Sequence, residues 1–225
     1  MSAKREKWRK RLDRGRPACT LARSAHKLMT DFNFQPRGKK SEYGWYSRGY
    51  LPHFDGGPLP QFLTFRLFDS LPLHVVEEMR ATAKDDVEYR KRVEKYLDAG
   101  YGECWLKDER IADLIEENLK FHDGEKYRLS SWVVMPNHVH LLVTPLEGKK
   151  LSGILHSLKS YTAHKANKIL CRSGQFWQRE AFDRYIRNKK HFANTVRYIE
   201  ENPVKAGLCE HSSLWKYSSA YNLLR

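Results

Sequence analysis

The sequence predicts an α+β fold, an antiparallel sheet with flanking helices in the split βαβ order of ferredoxin-like domains. Three observations predict it. Runs of β-favouring, alternating residues recur at 61–67, 127–134 and 138–144, segments with helical periodicity separate them, and the last two runs lie close enough to form a hairpin. At 225 residues the chain can bury a core of its own. The texture divides it into a basic arm, 1–47, and one folded domain, 48–225.

The elements follow in order. The turn Gly56-Gly57-Pro58 leads into Gln61–Leu67, the first strand of the core. Pro72 opens a helix with Leu73, Val76 and Met79 at helical spacing, and the charged segment 84–98 continues helical. Asp108 precedes a second amphipathic helix, with Ile111, Leu114, Ile115 and Leu119 on one face, ending near Asp123-Gly124. Tyr127–Val134 and His138–Thr144 form antiparallel partners joined by Met135-Pro136-Asn137, because proline cannot donate to a central ladder and asparagine tolerates turn geometry. Ser152 caps a helix to about Leu170, with Ile154, Leu155 and Leu158 inward, and Gly174 follows its exit. Phe176–Ile186 is a fourth extended stretch. Asn188 caps the last helix, which runs through Phe192, Val196 and Ile199 to Asn202-Pro203, where proline stops it. Two crossover units around a hairpin leave one sheet face open to a ligand.

Charge narrows the partner. The formal net charge is +14 with 12% aromatic residues, a combination that favours nucleic acid over a membrane surface. Residues 1–40 hold 13 Lys or Arg against 3 acids and carry most of the asymmetry. Such an arm orders on a phosphate backbone, releasing counterions. Within it, Arg14-Gly15-Arg16-Pro17 resembles the core of an AT-hook, so Arg14 and Arg16 are candidate groove contacts. The four cysteines form no C-x-x-C and no zinc spacing, as expected of reduced thiols in a cytoplasmic protein. No apolar run approaches a membrane span.

The chemistry centres on His138 and His140. Alternation in a strand puts both imidazoles on one face, with Val139 and Leu141 on the other. Two neutral imidazoles on rigid backbone can hold a divalent ion, and the plain alternative is a pair of satisfied histidines on a half-exposed strand. Against a phosphodiester such an ion stabilises developing charge, and the attacking group is then water, serine or tyrosine. A tyrosine on a helix could bring a further ligand four residues on. Of the twelve tyrosines only Tyr198 has an Asn, Gln, Asp, Glu or His at that spacing, namely Asn202. Tyr161, followed by Lys165, is the rival nucleophile because its helix follows the histidine strand.

Four ordered blocks carry a resemblance. They are Met135-Pro136-Asn137-His138-Val139-His140-Leu141-Leu142; Leu158-Lys159-Ser160-Tyr161-Thr162-Ala163; Phe176-Trp177-Gln178-Arg179-Glu180 with Phe182-Asp183-Arg184; and Tyr198-Ile199-Glu200-Glu201-Asn202-Pro203-Val204-Lys205-Ala206-Gly207-Leu208. Together they resemble the REP-associated tyrosine transposases, relatives of the HUH single-tyrosine class, over about 49–222. The resemblance implies an HUH transposase-like catalytic domain that nicks and joins single-stranded or hairpin DNA at palindromic repeats with Mg²⁺ or Mn²⁺, as a monomer or homodimer. It places the metal-binding histidines on His138 and His140, the nucleophile on Tyr198 and the polar ligand on Asn202. Some relatives carry Gln there, and Pro203 biases Asn202 away from helical geometry. Arg184, Arg187 and Lys205, in the blocks flanking Tyr198, are candidate phosphate contacts. The competing function is a catalytically idle regulator that binds hairpin DNA or RNA.

Overall fold

The computed structural model describes residues 44–47, 52–55 and 57–221. The elements are β1 (Gly44–Ser47), β2 (Pro52–Asp55), β3 (Gln61–Arg66), α1 (Leu73–Thr82), α2 (Asp86–Asp98), α3 (Glu109–Phe121), β4 (Tyr127–Val134), β5 (His138–Pro145), α4 (Leu151–Ile169), β6 (Phe182–Tyr185) and α5 (Lys189–Lys205). Strands β3 to β6 form an antiparallel sheet in the order β4-β5-β3-β6. In chain order that is the 4-1-3-2 arrangement of the ferredoxin-like split βαβ fold, so the expected architecture is the observed one. Strands β1 and β2 make a separate antiparallel ribbon, whose first strand falls inside the segment expected to be an arm. Arg14 and Arg16 lie outside the described residues.

Register sorts the side chains onto two faces. Leu63, Phe65, Val139, Leu141 and Val143 point one way, and with Trp132 and Val134 they form the larger core under α3 and α4. Phe62, Thr64, Arg66, His138, His140 and Leu142 point the other way. Here Phe62, Val133, Met135 and Leu142 pack against Phe192 and Ile199 of α5. This second face is not open as the element order suggested: His138 and His140 are only 1% and 2% exposed. Helix α5 covers one part of it, and α2 roofs the cavity over Thr64, Arg66 and the two histidines.

Local signals explain most boundaries and correct three. Asp85 accepts a bond from Glu88 N, Asp108 from Arg110 N and Asn188 from His191 N, capping α2, α3 and α5. Ser152 does not cap α4. The helix starts one residue earlier, where Gly153 N and Ile154 N bond to Lys150 O and burial of Leu151 draws it into the first turn. Pro203 does not stop α5 either. It lies buried in the last turn, and the helix ends in a Schellman motif, with Leu208 N bonded to Pro203 O, Gly207 N to Val204 O, and Gly207 at φ 69°. The stretch expected to be extended over 176–186 is strand only at Phe182–Tyr185, besides one bridge from Trp177 to Leu67. Gln178 N still bonds to Arg66 O at 2.8 Å, while the carbonyls of Gln178 and Arg179 turn to Lys159 Nζ at 2.6 and 2.8 Å instead of continuing a ladder.

Among the described residues no helix is long and apolar enough to cross a membrane. Cys104, Cys171 and Cys209 are free thiols.

Candidate active site

The site forms where the second sheet face meets α2 and α5. In the β3–β5 register His140 pairs with Thr64 and His138 with Arg66, so two adjacent strands fix the imidazoles from below. The turn before β5 sets the tautomer of His138. Asn137, fully buried, donates through Nδ2 to Tyr101 O at 2.9 Å, which leaves its Oδ1 facing His138 Nδ1 at 2.7 Å. Only a protonated Nδ1 satisfies that oxygen, so Nε2 of His138 presents a lone pair. His140 Nδ1 meets Thr64 Oγ1 at 2.7 Å, and the two Nε2 atoms lie 3.1 Å apart. The threonine hydroxyl can accept or donate. If it donates, His140 Nε2–H bonds to His138; if it accepts, both Nε2 lone pairs face the cavity and require a cation between them.

Tyr198 reaches the same place from α5. Its ring lies 5.5 Å from the His140 ring and 5.7 Å from that of Phe62, centroid to centroid, within a single chain. Lys205 Nζ sits 5.3 Å from the Tyr198 ring centroid and 3.4 Å from Glu201. One turn beyond the tyrosine, Asn202 stays helical despite Pro203, and its carbonyl accepts from Ala206 N. Its side chain is buried, and neither amide atom has a hydrogen-bond partner. Tyr198, Asn202 and Lys205 line a cleft with Glu94 and Asp98 of α2. Tyr161 lies elsewhere, exposed on α4, whose buried residues pack against the opposite sheet face. Its ring faces Lys165.

Burial dominates the electrostatics. It pushes His138 down to about 3, with the charge of Arg66 adding to the effect, and it takes His140 well below the ordinary imidazole value, reinforced by His138. Both are therefore neutral, as ligands must be. Burial raises Asp98 to about 6, helped by Glu94 and opposed by Lys205, and it also raises Glu94. The Tyr198 phenol is held far above its ordinary value by burial first, then by the Glu94 and Asp98 carboxylates. Its hydroxyl is buried with no hydrogen bond of full geometry. Arg184 is lowered by burial and by its neighbours Arg90 and Arg187, which marks a concentration of positive charge beside β6.

These residues fit a divalent cation. Two neutral imidazoles turn nitrogen into one cavity, and buried oxygens of Asn202 and Asp98 stand without hydrogen-bond partners. Among the described residues no three His, Cys, Asp or Glu side chains close tightly enough to hold a metal alone. The unpartnered amide of Asn202, one turn from Tyr198, is the candidate further oxygen donor for such an ion. Sequence reasoning passed over Thr64, Glu94 and Asp98 and treated Asn137 only as a turn former. Alternation along β3 already put Thr64 and Arg66 on one face. Nothing local marked the two carboxylates of α2.

Comparison with known proteins gives the following likenesses. Residues 102–202, from just after α2 to Asn202, match the family described as Transposase IS200 like. Within that class the likeness to REP-associated tyrosine transposases is borne out. The chain is 30% identical over 102 residues to the REP-associated tyrosine transposase of Escherichia coli (strain K12), covering 45% of this chain and 59% of that one. A relative from Haemophilus influenzae bearing the same family name is 32% identical over 96 residues, 38% of this chain and 54% of that one. The chain thus spans little more than half the length of these relatives. The solved structure of a REP-associated tyrosine transposase bound to a REP hairpin has 22% identity and a TM-score of 0.49, covering 80% of this chain and 82% of that one.

Proposed function

We propose that this chain is a metal-dependent single-stranded DNA endonuclease and strand transferase that acts at palindromic, hairpin-forming repeats through a 5′-phosphotyrosine on Tyr198. One observation carries the reading: the Tyr198 ring lies 5.5 Å from His140, on the sheet face where the two histidine Nε2 atoms converge. Tyr161, on a helix packed against the other face, is the weaker candidate.

In this mechanism Tyr198 Oη attacks the scissile phosphorus. The phosphorus–3′-oxygen bond breaks, and the 3′-oxygen leaves as a hydroxyl after taking a proton from water. The phenolic proton departs toward Glu94, the carboxylate that weighs first among the charges on Tyr198. His138, His140 and Asn202 would hold Mg²⁺ or Mn²⁺, which would supply Lewis-acid charge to the phosphate. Phe62 and His140 wedge the Tyr198 ring edge-on and hold its hydroxyl toward the cleft. Lys205 lies over the same ring, where it offsets phosphate charge, and Arg184 and Arg187 extend a positive surface for the flanking backbone.

The phosphotyrosine retains the energy of the broken ester, so a second 3′-hydroxyl can displace the tyrosine and rejoin the strand. Incubation of the chain with a labelled hairpin oligonucleotide and Mn²⁺, followed by a denaturing gel, tests the reading. Tyr198→Phe abolishes the covalent adduct and Tyr161→Phe retains it; the reverse pattern reassigns the nucleophile. The idle-regulator reading draws on the burial of both histidines beneath α2. Hairpin binding without adduct or nick, across cognate repeats, would favour it.

A further inference from the structure

We propose that Asp98, the last residue of α2, is a further oxygen ligand of the divalent cation. The inference rests on the reading of His138 and His140 as a ligand pair. Asp98 Oδ1 lies 3.9 Å from His138 Nε2. Metal–ligand bonds of about 2.1 Å put adjacent octahedral ligands roughly 3 Å apart and opposite ones roughly 4.2 Å apart. The observed spacing falls between, so rotation of one carboxylate completes the approach.

Three further observations point the same way. Asp98 Oδ1 is buried and has no hydrogen-bond partner, a costly state for a carboxylate oxygen that a cation would relieve. Lys205, whose ion pair is with Glu201, acts on Asp98 only through its charge and makes no hydrogen bond to it. Asp98 also closes a 13-residue helix, whose C-terminal dipole adds negative potential at that point. Finally, the segment after α2 is tied to the turn that carries the histidines. Asn137 Nδ2 donates to Tyr101 O at 2.9 Å, and Leu106 N donates to Pro136 O at 3.1 Å. The carboxylate is therefore held at the site by two bonds on its own connecting chain.

Asp98 precedes residue 102, where the match to the transposase family begins. Helix α2 would thus add negative charge to a donor set otherwise made of neutral groups. With two imidazoles and an amide alone, a hard cation is weakly held; one carboxylate shifts the balance toward Mg²⁺ or Mn²⁺. Glu94, one turn earlier on α2, faces Tyr198 and serves the phenol rather than the cation.

Calorimetric titration of Mn²⁺ into the full chain, paired with thermal melts with and without Mn²⁺, tests this. The unaltered chain binds, and His138→Ala abolishes binding. Asp98→Asn lowers the affinity tenfold or more, while its metal-free melting temperature equals or exceeds that of the unaltered chain, because a charge whose Oδ1 is buried without a hydrogen-bond partner has been removed. A carboxylate with only a structural role would give the opposite signature, a lower metal-free melting temperature with unchanged affinity, and would overturn the proposal. If Asp98→Asn binds Mn²⁺ as the unaltered chain does while His138→Ala does not, Asp98 is no ligand and the histidine reading stands. If the unaltered chain fails to bind, both fall.

Discussion

Asn137 offers the sharpest test of how the site is oriented. Its amide makes two bonds, accepting from His138 Nδ1 at 2.7 Å and donating to Tyr101 O at 2.9 Å. Asn137→Ala removes both. The imidazole N–H is buried and loses its only acceptor in the turn, at about 1–3 kcal/mol, whereas Tyr101 O is partly exposed and recovers some solvation. The expected loss of stability is about 2–4 kcal/mol, read from urea unfolding. Without its anchor the His138 ring no longer has a fixed tautomer, and Mn²⁺ affinity falls by roughly 10- to 100-fold. Asn137→Asp separates the two effects. A carboxylate still accepts from Nδ1–H and keeps Nε2 directed at the cavity, so affinity holds within about threefold of the unaltered chain even as stability drops, because the second oxygen now opposes Tyr101 O. Equal Mn²⁺ affinity in Asn137→Ala and the unaltered chain would refute the tautomer argument. So would an equal loss in both variants.

Two other expectations concern the frame around the site. Burial, with the charge of Arg66, lowers Lys159 from the ordinary 10.5 to about 8; between those values the unfolded chain binds a proton that the folded chain does not, so this residue makes stability rise with pH across that window. Lys159→Gln should erase that rise relative to the unaltered chain in denaturant melts at pH 8 and 10, and parallel pH profiles would contradict it. Gly207 ends α5 at φ 69°, with open space where a Cβ would stand; Gly207→Ala therefore costs about 1 kcal/mol of pure backbone strain, and an unchanged unfolding midpoint would remove the Schellman motif as the helix stop.

Alternation along 138–144 was enough to place both imidazoles on one side, and the β3–β5 register bears that placement out. The caps Asp108 and Asn188 were legible because each acts within three residues of itself. Pro203 was misread for a related reason. A local rule about proline said nothing of the burial that holds it in the last turn, while Gly207, the residue that stops the helix, stood four positions on. The α2 carboxylates were out of reach for a different cause. Periodicity in 86–98 identifies Val93 and Leu97 as the apolar stripe, but which sheet face that stripe meets is decided by contacts with Leu71 and Val76 and by the path of the connecting chain.

That decision shapes how substrate meets the site. Both crossover helices occupy the far face, so the near face had room for α2, and the approach to Tyr198 is left to the cleft between α2 and α5. Lys91, Lys95 and Lys205 line that cleft together with Glu94, Asp98 and Asn202. The lysines attract a phosphate, and the two carboxylates repel one unless a cation stands between. On the proposed reading, the Asp98 charge that would hold the metal would also repel DNA in its absence.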